Sequence, residues 1–520
     1  MANLEKLPKY AFGLAAILVL FLAYYIHLMN GPLTNDESIY ISAGAFATKY
    51  TLYKDFFHNH GPVYPLVLAQ IFRFVDEGYL HIARLLTSIL ATCSVMVFFM
   101  IARRISHSWI AAWAISLLLV TSTVMLRVLK TARNDALALF LLLVGLLLVL
   151  EALSRTRNKS VLYVISGIFF GLAVGTRINF AYFPAIVFLY INFVEGRTLK
   201  YNLKTVSGPF VAGGLIGMLP VLYYFMMAGE VFIDDVFSFN ILTSEVYYAG
   251  KSMFSYKIGT FLKIIGQDVI LAAFVFTGVA FVAAIPGAGL RAFGQSFHRQ
   301  RGFLFVGLLM IGIPVALIPN PTYHQYINPL VIPALLLMAA AWGAAAITLK
   351  IHRAQEFMWL AIVILACKPG FLGLVEEALL FSREANPVAN VRKAAHEIQD
   401  ILTDCNLKGK VGALTFFPAA EAGMVTYKEF SGAEFLYRME DHIGEKKFSA
   451  MKGVPRQHLD DFFKNDQPAA ILLWDDPSEA GLLNHARTHG YFEINKKIAN
   501  RLRLYLAPGS GKCNPTRFNQ

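Results

Sequence analysis

The chain has 520 residues, of which 56% are hydrophobic and 15% are charged. Soluble proteins usually carry about 25% charged residues, so this composition excludes a disordered chain and argues against an ordinary soluble enzyme. The formal net charge is +12. The basic residues lie in short connections between apolar runs, which favours membrane topology over nucleic-acid binding.

About eleven apolar segments have the length that a helix needs to cross a bilayer. We therefore predict a multi-span α-helical membrane module over residues 1–375. The first segment follows Lys6 and Lys9 and precedes no cleavage site, which predicts an uncleaved span. The segments lie at 10–29, 82–102, 109–127, 135–153, 161–176, 179–194, 206–228, 267–286, 302–318, 327–349 and 357–375.

Basic residues are concentrated in alternate connections, which predicts that these connections and the N-terminus are cytoplasmic. They lie near 103–104, 155–159, 197–204, 291–301 and 350–353. An odd number of spans then places the C-terminus outside. The outer face is predicted to hold a long first loop and three further connections, at 30–81, 128–134, 229–266 and 319–326.

Residues 376–520 are richer in charge and have shorter apolar runs. They predict a small extracytoplasmic α/β domain, because strand-like and helical patterns alternate there. The strand-like segments are 411–417, 469–474 and 501–507, and the helical patterns lie at 388–403 and around His485. Cys405 and Cys513 could form a disulfide if this domain faces an oxidising compartment.

The first outer loop begins with an acidic helix start. Apolar residues at 39, 43, 46, 47 and 50 share one face, which predicts a helix along the membrane surface. Glu37 could form a capping box with Thr34, and Asp36 could simply favour the helix dipole. The alternative is that these carboxylates supply a general base at the membrane boundary.

The same loop continues to Pro62, which suits the first turn of a second interfacial helix ending near Val75. His58 and His60 precede that helix. Histidines at such a position can hold an anion together with free N–H groups, or they can simply lie among the lipid headgroups.

Further polar residues are predicted at the outer boundary. Lys130, Arg133 and Asp135 stand where the third span ends and the fourth begins, where snorkelling and the helix dipole offer plain explanations. Arg177 interrupts apolar sequence, and a charge at that depth normally faces a cavity or a partner. His324 lies in the tight outer loop after Pro319.

No nucleotide-binding or hydrolase motif is found in the sequence: it has no Walker loop, no Gly-x-Gly-x-x-Gly after a strand, no His-Glu-x-x-His and no nucleophile elbow. A nucleotide-dependent reaction on the inner face is therefore unsupported, and the sequence requires no cofactor. The Asp-Asp pairs at 234–235, 460–461 and 475–476 are too generic to define a metal site.

The chain resembles the GT-C superfamily of glycosyltransferases that use lipid-phosphate sugars. More narrowly, it is similar to the branch holding the aminoarabinose-to-lipid-A transferases, the protein O-mannosyltransferase-like enzymes and the bacterial galacturonosyltransferases of lipopolysaccharide. The resemblance rests on four motifs: Asn35-Asp36-Glu37, Tyr53 to Phe57 leading into His60 to Tyr64, Arg133-Asn134-Asp135, and Gly171 to Arg177.

This resemblance implies a polyprenyl-phosphate sugar donor in the outer leaflet of the bacterial inner membrane. The acceptor is a hydroxyl on a lipid, glycan or protein, and transfer proceeds with inversion. Asp36 is implied as the base, with Glu37 beside it, since a positioned carboxylate typically contributes about 10²–10⁴-fold to rate. Cations stabilise the leaving phosphate, and the predicted donor-binding residues are His58, His60, Lys130, Arg133, Asp135, Arg177 and His324.

One motif departs from the aminoarabinose branch, which has Glu-Lys-Pro-Pro where this chain has Asn59-His60-Gly61-Pro62. His60 replaces the lysine that would contact phosphate, which predicts pH-dependent phosphate binding. The change also argues against aminoarabinose as the sugar and weakens the case for a divalent metal.

Two alternatives stay open: a transporter or lipid flippase, and a non-catalytic relative that acts in assembly. Transporters often place ionisable residues at the bilayer midplane on broken helices. The transferase hypothesis predicts instead that Asp36 and the cations gather around one cavity at the outer boundary. It would fail if Asp36 and Arg133 lay far apart.

Overall fold

A computed structural model describes residues 7–155, 157–195, 198–247, 253–287, 290–320, 322–348, 353–381, 386–474, 476–498 and 502–508. Helices dominate residues 7–381. They are α1 (Leu7–Met29), α2 (Asn35–Phe46), α3 (Val63–Phe72), α4 (Tyr79–Ser106), α5 (Trp109–Thr121), α6 (Thr123–Val128), α7 (Asn134–Ser154), α8 (Lys159–Thr176), α9 (Tyr182–Glu195), α10 (Leu199–Thr205), α11 (Ser207–Gly217), α12 (Leu219–Ala228), α13 (Glu230–Ile233), α14 (Phe239–Tyr247), α15 (Met253–Gly266), α16 (Val269–Gly287), α17 (Leu290–Arg299), α18 (Gly302–Leu317), α19 (His324–Thr348) and α20 (Arg353–Phe381).

The C-terminal part combines shorter helices with a sheet. The helices are α21 (Pro387–Asp404), α22 (Phe417–Glu421), α23 (Ala433–Arg438), α24 (Glu440–Ile443), α25 (Glu445–Ala450), α26 (Leu459–Phe463) and α27 (Ala480–Thr488). The strands are β1 (Val411–Gly412), β2 (Ala470–Leu473), β3 (Phe492–Ile498) and β4 (Leu502–Leu506), arranged in the order β1-β2-β4-β3. β1 pairs with β2 in parallel, and the other two pairings are antiparallel.

Each of the eleven predicted apolar segments is helical in the structure. By length and composition, four of the described helices can each cross a membrane, and the number rises to seven if each bent pair is one span. The chain is therefore a multi-pass membrane protein, and the count of eleven spans stays a prediction.

Three pairs of consecutive helices are bent, one inside the predicted span 206–228 and two where the predicted spans 267–286 and 302–318 begin. α11 and α12 meet at 50°, α15 and α16 at 75°, and α17 and α18 at 82°. Pro220 lies in the first turn of α12, where its missing N–H costs no helical hydrogen bond. A further break separates α5 from α6 at Ser122, whose hydroxyl donates to Asp268 at 2.8 Å.

The packing of α8 against α11 depends on glycines, as is common where membrane helices approach closely. A Cβ placed on Gly213 would come within 2.0 Å of the Val164 carbonyl oxygen, and one on Gly167 within 2.1 Å of the Phe210 carbonyl oxygen. The two backbones are therefore in direct contact. This contact positions the end of α8, from which Arg177 projects.

The helices of the first outer loop form, but α2 is not the surface helix that the pattern predicted. Nine of its residues are buried, and they include Ser38, Tyr40 and Ser42 on more than one side. α2 is covered because the C-terminal part packs over it: the Ser42 hydroxyl donates to the Ser431 carbonyl at 3.3 Å, and the Phe416 N–H donates to the Ser38 hydroxyl at 3.2 Å. α3 begins after Pro62 as predicted and ends at Phe72, shortly before the predicted Val75.

The C-terminal strands differ from the prediction in two ways. The first predicted strand, 411–417, shortens to two residues, because Phe417 and Pro418 begin α22. β3 was not predicted at all, since Phe492–Ile498 contains two lysines and an asparagine that mask its alternation. The predicted helix at 388–403 is confirmed as α21.

The cysteines divide into two kinds. Cys93 and Cys367 are free, and Cys405 is disulfide-bonded. Cys513, the predicted partner of Cys405, lies outside the described residues.

We predict that Gly213→Ala destabilises the protein, because the added methyl group forces α8 and α11 apart. Overpacking of this kind typically costs about 1–3 kcal/mol. Thermal unfolding in detergent measures the effect. Gly214→Ala is the matched control, since its Cβ would have no neighbour nearer than 3.9 Å, and equal melting temperatures for the two variants would contradict the prediction.

Candidate functional site

Asp36 and Arg133 lie together, as the transferase hypothesis requires. Arg133 Nη1 contacts Asp36 Oδ2 at 2.6 Å. Asp36 belongs to the first turn of α2, and Arg133 is the residue that precedes α7. The pair therefore joins the first outer loop to the junction between the predicted third and fourth spans.

Two more predicted residues extend this contact into an acid–base chain. Asp135 Oδ2 lies 3.4 Å from Arg133 Nε and 2.5 Å from Arg177 Nη1. Asp135 is 1% exposed, whereas Asp36 is 30% exposed. We call Asp36, Arg133, Asp135 and Arg177 the charge chain; it carries two negative and two positive charges and is open to solvent at the Asp36 end.

Arg177 is fixed by neutral groups as well. Its Nη1 donates to Asn134 Oδ1 at 3.0 Å, and its Nε donates to Asn179 Oδ1 at 3.1 Å. Asn134 in turn donates to the Thr176 carbonyl at 2.9 Å. The guanidinium therefore has a defined orientation, and it is not a charge that extends freely into the lipid.

Glu37 has a different role from the predicted catalytic one. Its carboxylate accepts from Arg84 Nε at 2.8 Å and Nη2 at 2.6 Å, and from the Ala132 N–H at 2.7 Å. Both side chains of the pair are fully buried. The Thr34 hydroxyl accepts from the Glu37 N–H at 3.3 Å, which is one of the two hydrogen bonds of the predicted capping box. The Glu37 carboxylate is engaged with Arg84 and Ala132 instead of with the backbone at Thr34, which indicates a structural role for Glu37.

The two loop histidines differ in access. His58 is fully buried, and it approaches the Gly61 backbone without a hydrogen bond of normal geometry. His60 is partly exposed and stacks on Tyr40 at 4.9 Å. The predicted phosphate contact is therefore available to His60 and not to His58 in this conformation.

The surrounding protein favours the neutral form of both imidazoles. It lowers the pKa of His58 to about 3 and the pKa of His60 well below its usual value, and the nearby arginines lower the pKa of His60 further. The predicted pH dependence of phosphate binding near neutrality therefore requires the bound anion itself to raise the pKa of His60.

Asp235, which the sequence analysis considered only as part of a generic Asp-Asp pair, supports this loop from the third outer connection. Its carboxylate is fully buried and accepts from the His58 N–H at 3.3 Å. Burial raises its pKa well above the usual value. Asn240 strengthens the same contact by donating to the Asn59 carbonyl at 2.9 Å.

Lys130 and His324 lie at the edge of the site. Lys130 contacts Glu377 on α20 at 2.7 Å, and Glu377 also contacts His27 on α1. Lys130 therefore ties α20 to the rest of the bundle, a role that the sequence analysis did not predict. His324 begins α19, is partly exposed, and lies close enough to the exposed Arg127 to be affected by its charge.

The charge chain brings four of the predicted residues together, whereas Lys130 and His324 contact other groups at its edge. The carboxylates and guanidinium groups of the chain contact one another directly, and the cavity expected around them stays a prediction. A cleft of about 420 Å³ adjoins residues 443–450, and one of about 300 Å³ lies between α15 and α18. Asp36 is the most exposed member of the charge chain, so a ligand has the readiest access at that end.

The comparisons with known proteins concern the family and the fold. The family model described as dolichyl-phosphate-mannose-protein mannosyltransferase matches residues 59–224, which include Arg133, Asp135 and Arg177 but not Asp36. No curated protein matches the chain by sequence.

Two solved structures share the fold. ArnT from Cupriavidus metallidurans bound to undecaprenyl phosphate has a TM-score of 0.59 at 15% identity, over 96% of this chain and 99% of that chain. ArnT from the same organism in the apo state has a TM-score of 0.58 at 13% identity, over 96% of this chain and 98% of that chain. The match extends through the C-terminal part as well as the membrane helices.

We predict that Glu37→Gln lowers stability strongly, because it leaves the Arg84 charge buried without its counter-ion. Breaking a buried pair typically costs about 3–5 kcal/mol. The melting temperature in detergent measures this. Glu77→Gln is the control, since Glu77 and Arg392 form an exposed pair at 3.1 Å, and a similar effect of both variants would contradict the structural role.

We predict a second effect, on the pH dependence of stability. Unfolded His58 takes up a proton near pH 6.5 and folded His58 only near pH 3, so the unfolded state binds more protons between these values. Stability therefore falls as the pH drops through that window. As the pH is lowered from 7 to 4, the melting temperature of His58→Gln should decrease less steeply than that of wild type. The melting temperature of the exposed control His442→Gln should follow that of wild type. Parallel curves for His58→Gln and wild type would contradict the prediction.

Proposed function

From the premise that the fold and the family match are those of GT-C membrane glycosyltransferases, we propose that this chain transfers a sugar from a polyprenyl-phosphate donor to a hydroxyl group. The acceptor is a lipid, glycan or protein on the outer face of a bacterial inner membrane. The charge chain carries the proposal, because it places a solvent-accessible carboxylate beside two fixed guanidinium groups. The undecaprenyl phosphate bound to the similar ArnT structure supports the donor class.

Asp36 is the proposed base. Its carboxylate is held at one oxygen by Arg133 and is 30% exposed, so an acceptor hydroxyl can reach it. Fixed orientation matters because a general base must lie within hydrogen-bond reach of the proton that it takes. Glu37, which the sequence placed beside it, anchors the helix turn that presents Asp36.

The two arginines are the proposed phosphate ligands. Each guanidinium carries five N–H donors in a fixed plane, and the contacts of Arg133 and Arg177 described above are made by Nη1 and Nε. In this proposal the phosphate binds at the Nη2 groups while the carboxylates stay in place. The negative charge that grows on the leaving phosphate is then stabilised by groups already in place.

The arrangement favours inversion. A retaining mechanism requires a second accessible carboxylate as nucleophile, at about 5–5.5 Å from the first carboxyl group. The nearest candidate, Asp135, is 1% exposed and bound to Arg177. Direct displacement of the phosphate by a hydroxyl that Asp36 deprotonates needs no such group.

Two observations support an outer-face location. The predicted outer connections meet one another: His58 contacts Asp235, and Ser244 donates to the Asn320 carbonyl at 3.1 Å. The C-terminal part packs on the same end of the bundle, and its Cys405 is disulfide-bonded, as is typical of oxidising compartments. The proposed topology therefore has a cytoplasmic N-terminus and a periplasmic C-terminal domain.

We predict that Asp36→Asn abolishes transfer while donor binding is kept. Loss of a general base typically costs about 10²–10⁴-fold in rate, and the arginines that hold the phosphate remain. Transfer is measured by mass spectrometry of envelope lipids, glycans and glycoproteins from cells that express each variant. Binding of undecaprenyl phosphate to the purified protein is measured in parallel.

Asp76→Asn is the matched control, because Asp76 is an exposed acid of the same loop. It should keep both transfer and binding. Unchanged transfer by Asp36→Asn would refute the role of Asp36 as base.

A further inference from the structure

We propose that Asp460, His485 and His489 form a binding site for a divalent cation of the zinc class in the C-terminal part. One ligand atom from each residue lies within 4.8 Å of the others. This site lies outside the charge chain and does not depend on the proposed transferase activity. Two histidines and one carboxylate are a common zinc ligand set.

Local structure brings these three side chains together. His485 lies in α27 and His489 follows its last residue, so the two are four positions apart and share a face. Their ring centroids lie 4.2 Å apart with the ring planes 24° from parallel, so the partly exposed His489 ring must turn for both rings to direct a nitrogen at one cation. Asp460 lies in the first turn of α26, which packs against α27 through the buried side chains of Leu459, Phe463, Leu482 and Ala486.

One distance between candidate ligand atoms is shorter, and another is longer, than the separation between two ligand atoms of tetrahedral zinc. Tetrahedral zinc with bonds of about 2.0–2.1 Å separates its ligand atoms by about 3.3 Å. Asp460 Oδ1 lies 2.5 Å from His485 Nδ1 and 3.6 Å from His489 Nδ1. Movement of the Asp460 carboxylate by less than about 1 Å therefore equalises the distances, and its 58% exposure leaves it free to move.

His485 is buried against Phe463, so its ring is held in place. Its Nε2 has no hydrogen-bond partner within the described ranges. His489 Nδ1 lies 3.1 Å from the His485 carbonyl oxygen, so a metal at this nitrogen requires the tautomer with the proton on Nε2, which gives up that hydrogen bond.

A simple Asp–His hydrogen bond explains only two of the three residues. That hydrogen bond does not explain why His489, which is 35% exposed, also lies beside the Asp460 carboxylate and the His485 ring. A shared cation accounts for all three, with a fourth position open to water on the exposed side. Such a metal would join α26 to α27 and stabilise this part of the chain.

Zinc binding to the full-length protein in detergent tests the proposal. The protein is purified without a polyhistidine tag, stripped with EDTA and titrated with ZnCl₂, and bound zinc is counted by mass spectrometry. One tightly bound zinc per chain and a rise in melting temperature are expected. Titration with CoCl₂ should give the visible absorption bands of tetrahedral cobalt.

His489→Ala and Asp460→Asn should each weaken zinc binding by at least about tenfold, since even outer partners of metal ligands contribute that much. Both residues are partly or fully exposed, so the variants should fold, which their melting temperatures in EDTA will show. His458→Ala is the matched control, because His458 lies outside the cluster and pairs with Glu445 at 2.6 Å, so this variant should bind zinc like wild type.

The proposal is overturned if wild type takes up no more zinc than His489→Ala. It is also overturned if zinc does not raise the melting temperature of wild type and Asp460→Asn binds as much zinc as wild type. Loss of zinc binding with intact transfer would leave the proposed transferase function standing. Loss of transfer by Asp36→Asn with zinc binding intact would separate the two in the other direction.

Discussion

The buried ion pair between Glu37 and Arg84 is the constraint on which the site depends. Arg84 lies in α4 and also donates to the carbonyls of Leu28, Gly31 and Pro32 at 2.6–3.0 Å. One guanidinium therefore fixes the end of α1, the turn that follows it and the first turn of α2. Asp36 is the residue before Glu37, so its position opposite Arg133 follows from this anchor.

The first outer loop is held by the C-terminal part of the chain as well as by the membrane helices. Lys428 donates to the Asp55 carbonyl at 3.1 Å, and the Ser431 hydroxyl donates to the Phe57 carbonyl at 3.1 Å. Glu421 accepts from the Leu80 N–H at the start of α4, and burial raises its pKa to about 7. The C-terminal part thus forms a cover over the loop, which explains why α2 is buried on several sides.

The sequence predicted the features that depend on local pattern. Apolar run length located the helices, and the placement of Asp36, Arg133, Asp135 and Arg177 at the same boundary predicted that they would meet. Sequence pattern alone could not predict contacts between residues that are far apart in the chain. Arg84 lies 47 positions after Glu37 within an apolar helix, and no local pattern connects the two residues. The contacts of Glu377 with Lys130 and of Asp235 with His58 likewise form only through folding. A search for histidines four residues apart would have found His485 and His489, because that spacing is a local signal.

The glycine contact between α8 and α11 has a mechanical consequence. No side chains separate the two backbones, so the contact cannot adjust by side-chain repacking. α8 and α11 therefore move together as one rigid unit. Arg177 at the end of α8 therefore keeps its place relative to α11 whenever this pair of helices shifts. Asp36 is positioned by a different element, through the Glu37–Arg84 ion pair on α4, so the two ends of the charge chain are set by independent parts of the helical bundle.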